Sequence, residues 1–504
     1  MRVEFKRLAK DTTIYGVSSI LARALSFLLL PVYTRVLDES NFGICSEILA
    51  YIAFIQVILI FGLETGFFRF VSLKEYDSDK VFSTISIFLT VVSLSFFLLI
   101  FAFSGNIAAN AGYNSLSVIY AAGILAIDAF TSVFFAQLRY RRKALKFAIF
   151  RSIKIIAEVI FNLLFLFVLP AYFASHPQSV LLSFFTPEAS YVYILAAILC
   201  SCIVSVILFI PEIFKVKYTF SASYLKVLLI YSLPLMLAGL QGILNDFIDR
   251  PLFRYLAPEN DFTWEEQLGV FSASAKLAVI MSLFVQMFRY AAEPYFFAES
   301  SKTDIKPVYA KITKYFTIFC IVIFLLISYY SNILQYLLGK DFRSGMIVLP
   351  IMLFAYMLSG INQNISIWYK LASKTKVAIV VTSAGLITTI AVNYLFMPTY
   401  GYMATAWGHV ASYTVMITLS WQLSKRYYKI PYQWKSILLY IVAGLILFFT
   451  AKLIETPAVA LNLVFNTVLL LVFIYFILKK EKIPIKNAKK ILSRKTVVNK
   501  SPRI

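Results

Sequence analysis

The sequence has 504 residues, of which 60% are hydrophobic and 14% are charged, and its mean hydropathy is +0.80. This composition excludes an ordinary soluble domain. The net charge of +22 would suggest nucleic-acid binding in a soluble chain. In a membrane protein, however, basic loops orient the helices and meet anionic lipid head groups, so the bilayer is the expected partner and nucleic acid is not.

Fourteen apolar stretches follow one another along the chain. Each is long enough for a helix to cross a hydrocarbon core of about 30 Å. The sequence therefore predicts an all-α integral membrane protein with about fourteen transmembrane helices. We number the stretches spans 1 to 14, in the order 12–33, 43–68, 81–104, 115–137, 147–170, 190–214, 227–248, 269–297, 312–332, 346–369, 377–397, 400–423, 436–455 and 459–478.

The connections between spans alternate in their basic content. Most of the 47 Lys and Arg residues lie in the N-terminal segment, the C-terminal tail and the even-numbered connections. The positive-inside rule then places both termini in the cytoplasm and the chain in the cytoplasmic (inner) membrane as a multi-pass protein. The longest outer connections, about 171–189 and 249–268, are too short for an outer catalytic domain.

Two short motifs recur in the same order after spans 1 and 7. The first copy reads Arg35-Val-Leu37 and then Gly43-Ile-Cys-Ser46, and the second reads Arg254-Tyr-Leu256 and then Gly269-Val-Phe-Ser272. Both copies start on the same side of the membrane, which indicates a parallel repeat of six spans. Such a repeat predicts two six-helix lobes around a central cavity, plus two C-terminal helices. The predicted boundaries are 1–215 for the N-lobe, 216–430 for the C-lobe, 431–479 for spans 13 and 14, and 480–504 for a basic cytoplasmic tail.

Basic residues inside the spans are candidate ligands for a negatively charged substrate. A charge at mid-bilayer costs about 2.5–3.5 kcal/mol on insertion scales and normally faces a cavity or a partner. Several spans carry one polar stripe on an otherwise apolar surface, which predicts helices turned toward a hydrated interior. The candidate cavity cations are Arg23, Arg151, Lys154, Lys276 and Arg289.

Acidic residues in or beside the spans are candidates for coupling to an ion or a proton. Asp128 has no evident partner on its own helix, so its charge state should respond to nearby ligands. An alternative is that Glu158 neutralises Lys154 and Glu293 neutralises Arg289, which would hold helices in register. The coupling candidates are Asp128, Glu158, Glu64, Glu293 and Asp249.

The histidines and cysteines indicate no metal site, disulfide, cofactor or catalytic group. All four cysteines fall within spans, where apolar packing is the expected role. His409 shares a helix face with Thr405 and Ser412 and is expected to be a hydrogen-bonded interior residue.

The opening of the chain resembles that of a known family. It reads Lys10-Asp-Thr-Thr-Ile-Tyr-Gly16, Leu21-Ala-Arg23, Leu30-Pro-Val-Tyr-Thr-Arg35-Val-Leu37 and Phe42-Gly43. It is similar to the start of bacterial polysaccharide flippases, the Wzx-type transporters of the multidrug/oligosaccharidyl-lipid/polysaccharide superfamily. No single motif in it is diagnostic by itself.

The resemblance implies a function. It implies transfer of an undecaprenyl-diphosphate-linked oligosaccharide, such as an O-antigen, capsule or exopolysaccharide repeat unit, across the cytoplasmic membrane. Alternating access of two lobes, driven by an ion or proton gradient, is implied as well, with a polysaccharide polymerase and a chain-length regulator as candidate partners. Arg23 matches a position where related lipid II flippases use cavity arginines for the diphosphate. For the other four cations the role rests on the chemistry of Arg and Lys with phosphate oxygens.

Two other classes remain open. A multidrug or metabolite cation antiporter of the same superfamily would favour an anionic cavity. A membrane glycosyltransferase or polymerase is more remote, because Asp38-Glu39 in the first outer connection is the only feature that suggests one. No Gly-rich phosphate loop is present, so direct coupling to ATP is not expected.

Overall fold

The computed structural model describes residues 27–482, except 177, 186–188, 259–261, 300–305, 373 and 375. The side chains of 181, 183, 291, 293–299 and 370 are also not described. Arg23, most of span 1, the side chain of Glu293 and nearly all of the basic tail therefore lie outside the described residues.

The described part of the chain is helical throughout and contains no β-strand. Three short 3₁₀ segments, Val180–Phe184, Gln335–Leu337 and Asp341–Ile347, and one π-helical turn, Leu164–Val168, supplement the α-helices. The α-helices are Leu30–Val36, Glu39–Ile60, Leu63–Val71, Ser78–Ala111, Ser115–Tyr140, Ala144–Leu163, Leu169–Ser175, Tyr191–Ile213, Ala222–Phe247, Asp249–Leu256, Trp264–Glu299, Lys306–Tyr329, Ser331–Leu334, Val348–Ile365, Ile367–Leu371, Lys376–Tyr400, Tyr402–Tyr427, Trp434–Leu453 and Val459–Lys480.

Twelve helical segments of the described part are long and apolar enough to cross a membrane. They coincide with predicted spans 2 to 11, 13 and 14. Span 12 is the continuous helix Tyr402–Tyr427, which carries more polar residues and does not meet the same hydropathy criterion. The all-helical membrane fold is thus confirmed, whereas the count of fourteen stays a prediction.

Local sequence explains where the early spans begin and bend. Asp38 caps the first turn of span 2, because its carboxylate accepts from the Asn41 N–H at 2.7 Å. Asp38 thus has a structural role as a helix cap. Span 2 then breaks at Phe61 and Gly62, which have φ of 54° and 66°. A Cβ on Gly62 would lie 2.6 Å from the Ser232 carbonyl oxygen, so the break lies where span 7 packs closely.

The described residues group into two compact units. The first comprises the described residues of Met1–Lys306 and Tyr336–Ile430, which contain spans 2 to 8 and 10 to 12. The second comprises those of Pro307–Gln335 and Pro431–Ile504, which contain spans 9, 13 and 14. By compactness span 9 therefore groups with the last two spans, and the lobe boundaries predicted at 215 and 430 stay a prediction.

The second unit is held together by its own polar contacts. Tyr330 and Thr467 are hydrogen-bonded at 2.8 Å, which joins span 9 to span 14. Near the other end of span 9, Lys314 is paired with Glu481 at 2.5 Å. Both side chains are about nine-tenths buried, so the charge of Lys314 is compensated by the residue that follows span 14.

Within the first unit, spans 2 and 8 cross with their backbones in contact. A Cβ on Gly43 would overlap the carbonyl oxygen of Glu265, and a Cβ on Gly269 would overlap that of Glu39. Each glycine thus packs against the backbone carbonyl group of the residue four positions before the other glycine. This reciprocity is expected of parallel repeats related by an approximate two-fold axis, and Gly43 and Gly269 are the glycines of the two matched motifs. The crossing lies at the ends of spans 2 and 8 that the topology predicts to be outer.

Candidate functional site

A cavity of about 450 Å³ lies in the first unit between spans 2, 5, 6 and 8. On span 2 its lining begins with Phe42, beside Gly43 of the crossing, whereas on span 8 it begins with Lys276, which follows Gly269 by seven residues, or about 10 Å of helix rise. Its volume falls in the range of small-ligand sites. The lining residues are Phe27, Tyr33, Phe42, Cys45, Leu49, Arg151, Lys154, Ile155, Glu158, Ile194, Ile198, Lys276 and Val279.

Three of the five predicted cations therefore meet in one cavity. Arg151 and Lys154 come from span 5, where a spacing of three residues places both on one face. Lys276 comes from span 8, which the sequence assigned to the other lobe. Helices from both halves of the predicted repeat contribute positive charge to the same space.

Lys154 is not free, because it is paired with Asp128 of span 4 at 2.5 Å. The side chains of Lys154 and Asp128 are 14% and 32% exposed. Cys202 of span 6 is also close, with its thiol donating to Asp128 at 3.5 Å. The sequence offered Glu158 as the neutralising partner of Lys154, but in the structure the direct partner is the carboxylate of the neighbouring helix.

Arg151 and Lys276 face aromatic rings rather than acids. The Arg151 guanidinium lies 5.8 Å from the centre of the Phe135 ring, and the Lys276 ammonium lies 4.6 Å from that of Phe42. Among the described residues neither cation has a carboxylate within 4 Å. A cation–π contact orients a cation without cancelling its charge, so both remain available to an anion.

Glu158 lies within electrostatic range of Arg151, Lys154, Lys276 and Asp128. Three cations and two carboxylates leave this group with one excess positive charge when all are ionised. In a medium of low dielectric constant such an excess attracts an anion more strongly than it would in water. The arrangement thus suits a small anionic group that enters from the side of Arg151 and Lys276.

Arg289 is not brought into this cavity. It lies at a separate, much smaller cavity with Gln363, whose side-chain oxygen accepts from it at 3.5 Å. The side chain of Glu293, its suggested partner, is outside the described residues. The binding roles predicted for Arg289 and for Arg23 are therefore untested by the geometry.

The remaining acidic candidates occupy two other places. Glu64 of span 2 is paired with Arg139 at 2.9 Å, and both side chains are about one-third exposed. Asp249 is almost completely buried and faces the His409 ring at 3.2 Å. The four coupling candidates whose side chains are described, Asp128, Glu158, Glu64 and Asp249, thus do not form one cluster.

One buried ion pair was missed by the sequence reading. Glu47 is completely buried, and Arg254 donates to both of its oxygens, at 3.0 and 2.7 Å. Tyr113 donates to the same carboxylate at 2.7 Å, and burial together with the Glu47 charge raises the pKa of its hydroxyl. The only available signal was that Arg254 belongs to the second copy of the repeated motif. Although Glu47 lies close to the end of span 2, its carboxylate is enclosed at this pair.

A larger cavity, of about 510 Å³, lies on the other side of span 2. Its wall is formed mainly by apolar residues of spans 2, 3 and 4, such as Ile52, Phe96 and Leu125. Arg254 reaches its edge, but Glu47 already compensates that charge. Of the two cavities, the smaller one has the chemistry for an anion.

Comparison with known proteins identifies the fold. Residues 8–300 match the model of the family described as polysaccharide biosynthesis protein. The structure is similar to the lipid II flippase MurJ in an inward closed conformation, with a TM-score of 0.70 and 14% identity over 93% of this chain and 99% of that chain.

Two further similar structures are multidrug resistance MATE family transporters of the MOP superfamily. The inward-facing one has a TM-score of 0.57 and 14% identity, over 80% of this chain and 94% of the other. The outward-facing one has a TM-score of 0.54 and 13% identity, over 83% and 95%. No curated protein sequence matches the chain. The described helices thus follow an architecture shared by MurJ and MATE structures.

Proposed function

Because the chain belongs to the polysaccharide biosynthesis protein family, we propose that it transfers an undecaprenyl-diphosphate-linked oligosaccharide between the leaflets of the cytoplasmic membrane. The substrate is a repeat unit of a surface polysaccharide such as O-antigen, capsule or exopolysaccharide. The head group passes through the cavity of Arg151, Lys154 and Lys276 while the prenyl chain stays in the bilayer. The protein acts as a transporter and not as an enzyme.

The observation that carries this proposal is the convergence of positive charge from spans 5 and 8 on one cavity. A diphosphate cannot cross hydrocarbon unaided, because its charges lose their hydration. Arg151 can bind phosphate oxygens in a bidentate fashion, and Lys276 adds a point charge from another helix. Because spans 5 and 8 both contact the head group, its binding can change the positions of both helices.

Alternating access is supported by the position of the cavity relative to the crossing of spans 2 and 8. Gly43 and Gly269 bring the two backbones into contact at the predicted outer ends, and the Glu47–Arg254 pair lies close to this crossing. The cavity extends inward from this crossing, from Phe42 on span 2 to Lys276 and Val279 on span 8. We propose that the crossing opens in the outward-facing state and that Asp249 takes part in ion or proton coupling. Both termini are cytoplasmic in this proposal. A polysaccharide polymerase and a chain-length regulator act on the transferred product.

A reconstitution assay tests the proposal. The purified protein is placed in liposomes that carry undecaprenyl-diphosphate-linked oligosaccharide in one leaflet, and transfer is measured by access of a glycan-modifying enzyme added outside. Arg151→Gln and Lys276→Gln are each expected to slow transfer by about 10- to 100-fold, since a hydrogen bond to a charged group contributes about 1.5–3 kcal/mol.

Arg141→Gln is the matched control. Arg141 is also basic, but its pair with Asp79 is exposed at 47% and 80%, away from the cavity, so transfer should be unchanged. Equal transfer by the wild type, Arg151→Gln and Lys276→Gln would overturn the assignment of the cavity. Efflux of cationic drugs by the wild type, without lipid transfer, would establish the antiporter alternative instead.

A further inference from the structure

A second polar cluster lies in the first unit, where the end of span 7 meets span 12. His409 of span 12 faces Asp249 at 3.2 Å, and both side chains are at least 95% buried. One turn away, the Tyr413 hydroxyl donates to Asp246 at 2.8 Å. Arg250 lies beside Asp249 in the chain and interacts electrostatically with both carboxylates.

The charges of this cluster do not balance when the imidazole is neutral. The two carboxylates and one guanidinium then leave one uncompensated negative charge in the membrane interior. Burying an unpaired charge costs several kcal/mol, so the cluster favours one further positive charge, a proton taken up by the imidazole or by one of the two carboxylates. Tyr413 does not supply it, because its hydroxyl donates a hydrogen bond without carrying charge.

Three buried atoms of the cluster have no hydrogen-bond partner among the described residues. They are Nδ1 of His409, Oδ1 of Asp249 and Nε of Arg250. The imidazole thus has one nitrogen against a carboxylate and the other free to gain or lose a proton. In the described part of the chain no three His, Cys, Asp or Glu side chains converge closely enough to hold a metal ion.

Among the described residues, the elements packed around His409 bring one other cation, Lys276 of span 8, which lies within electrostatic range of Arg250 and also of Glu158 in the cavity. Span 11 contributes only the uncharged Thr389 and Asn393, which are hydrogen-bonded to Asn245 and Thr405. The other titratable groups of the described residues that face the cluster are Tyr356 of span 10, Lys276 of span 8 and Cys45 of span 2. These three groups interact with Arg250, directly or through Cys45.

We propose that His409, held by Asp249 and Asp246, is a proton-binding site of this transporter and that the proton is its coupling ion. The coupling role of the proton rests on the proposed function, whereas the binding of a proton by His409 does not. His409 lies seven residues into its helix, about 10 Å from the end predicted to be outer. Histidine suits the task because its charge changes in the range of physiological pH.

Arg250 connects the proton site to the substrate cavity. It faces Asp249 and Asp246 on one side, and on the other it lies within electrostatic range of Cys45, which lines the cavity. A proton on His409 competes with Arg250 for Asp249. Protonation therefore changes how much of the Arg250 charge acts on the cavity, and by reciprocity an anion in the cavity changes the proton affinity of His409.

The proton can be observed directly, because the chain has only two histidines, His176 and His409. His176→Asn leaves one imidazole, whose ¹⁵N shifts in a labelled sample in liposomes distinguish the imidazolium from the neutral tautomers. We expect a charged ring that titrates within roughly pH 5 to 8. Asp249→Asn should lower its proton affinity about tenfold or more, since it removes a hydrogen bond to a charged group. A neutral ring throughout this range overturns the proposal, and so does a titration unaffected by Asp249→Asn.

The reconstituted lipid transfer assay tests the coupling. Transfer by the wild type should respond to an imposed pH gradient at constant sodium, whereas His409→Gln should keep gradient-independent transfer and lose that response. A sodium gradient that drives transfer at constant pH, or an unaltered response in His409→Gln, would contradict proton coupling. Absence of any lipid transfer by the wild type would instead refute the proposed function, and the ¹⁵N titration would still decide whether His409 binds the proton.

Discussion

The pair between Glu47 and Arg254 makes a sharp prediction, because its two members are buried unequally. Glu47 is 0% exposed and Arg254 is 20% exposed. Arg254 also lies over the Trp264 ring at 4.2 Å, which partly satisfies its charge when Glu47 is neutral. Removal of Arg254 leaves an enclosed carboxylate whose remaining donor among the described residues is Tyr113, so Arg254→Gln should be the more damaging change.

The expected magnitudes follow from this asymmetry. Arg254→Gln should destabilise the folded protein by about 3–5 kcal/mol, the effect of leaving one buried charge unpaired. Glu47→Gln should cost about 1–3 kcal/mol, because hydrogen bonds are lost while Arg254 keeps some access to solvent. The double variant carries no charge at the site and should be more stable than Arg254→Gln alone.

The assay is unfolding in detergent, followed by a dye that reacts with free thiols. Three of the four free cysteines, Cys45, Cys202 and Cys320, are buried in the folded chain and become reactive on unfolding. Arg141→Gln serves as the control, because it breaks an exposed pair and should cost less than about 1 kcal/mol. Equal effects of Glu47→Gln and Arg254→Gln, or a double variant less stable than Arg254→Gln, would refute the reasoning.

Two further predictions concern the helix crossing and the second unit. Gly43→Ala should destabilise the structure by about 1–3 kcal/mol, because its methyl group would meet the rigid backbone at Glu265. Gly105→Ala is the control and should not destabilise the structure, because the space around Gly105 is open. The thiol-dye assay compares the two variants, and equal unfolding midpoints would contradict the close crossing of spans 2 and 8. Partial burial raises the pKa of Glu481, but hydrogen bonds from Lys314 and two tyrosines and the Lys314 charge outweigh it, so this pKa lies below its usual 4.5. The stability that Glu481 contributes should be fully present above pH 4.5 and be lost as the pH falls through the lowered pKa. Glu481→Gln should remove this pH dependence of the stability. The same loss of stability at acidic pH in wild type and Glu481→Gln would count against the pair of Lys314 and Glu481.

Much of the candidate site could be predicted because it depends on one helix at a time. Arg151, Lys154 and Glu158 lie on one face of span 5 through helical periodicity alone. Their cost in hydrocarbon predicts that this face is turned toward a cavity or a partner. The structure confirms that the three line one cavity.

Partners on different helices could not be predicted in the same way. Lys154 pairs with Asp128, 26 residues away, and Arg254 pairs with Glu47, 207 residues away. Each pairing requires the rotation of two helices about their axes and their relative depth, which no single stretch contains. The same holds for His409, whose sequence neighbours predicted hydrogen bonding but not the carboxylates of span 7.

The sequence by itself determined the membrane class, the twelve spans that match long apolar helices and the residues that carry charge within them. It did so because the transfer of a helix into hydrocarbon depends on length and composition, which are local properties. Only the tertiary structure decided which charges meet, with Lys276 joining Arg151 and Lys154 in one cavity while Arg289 lies apart. The physical reason is that helix association in a bilayer depends on close packing and polar contacts between surfaces, such as the reciprocal contacts of Gly43 and Gly269.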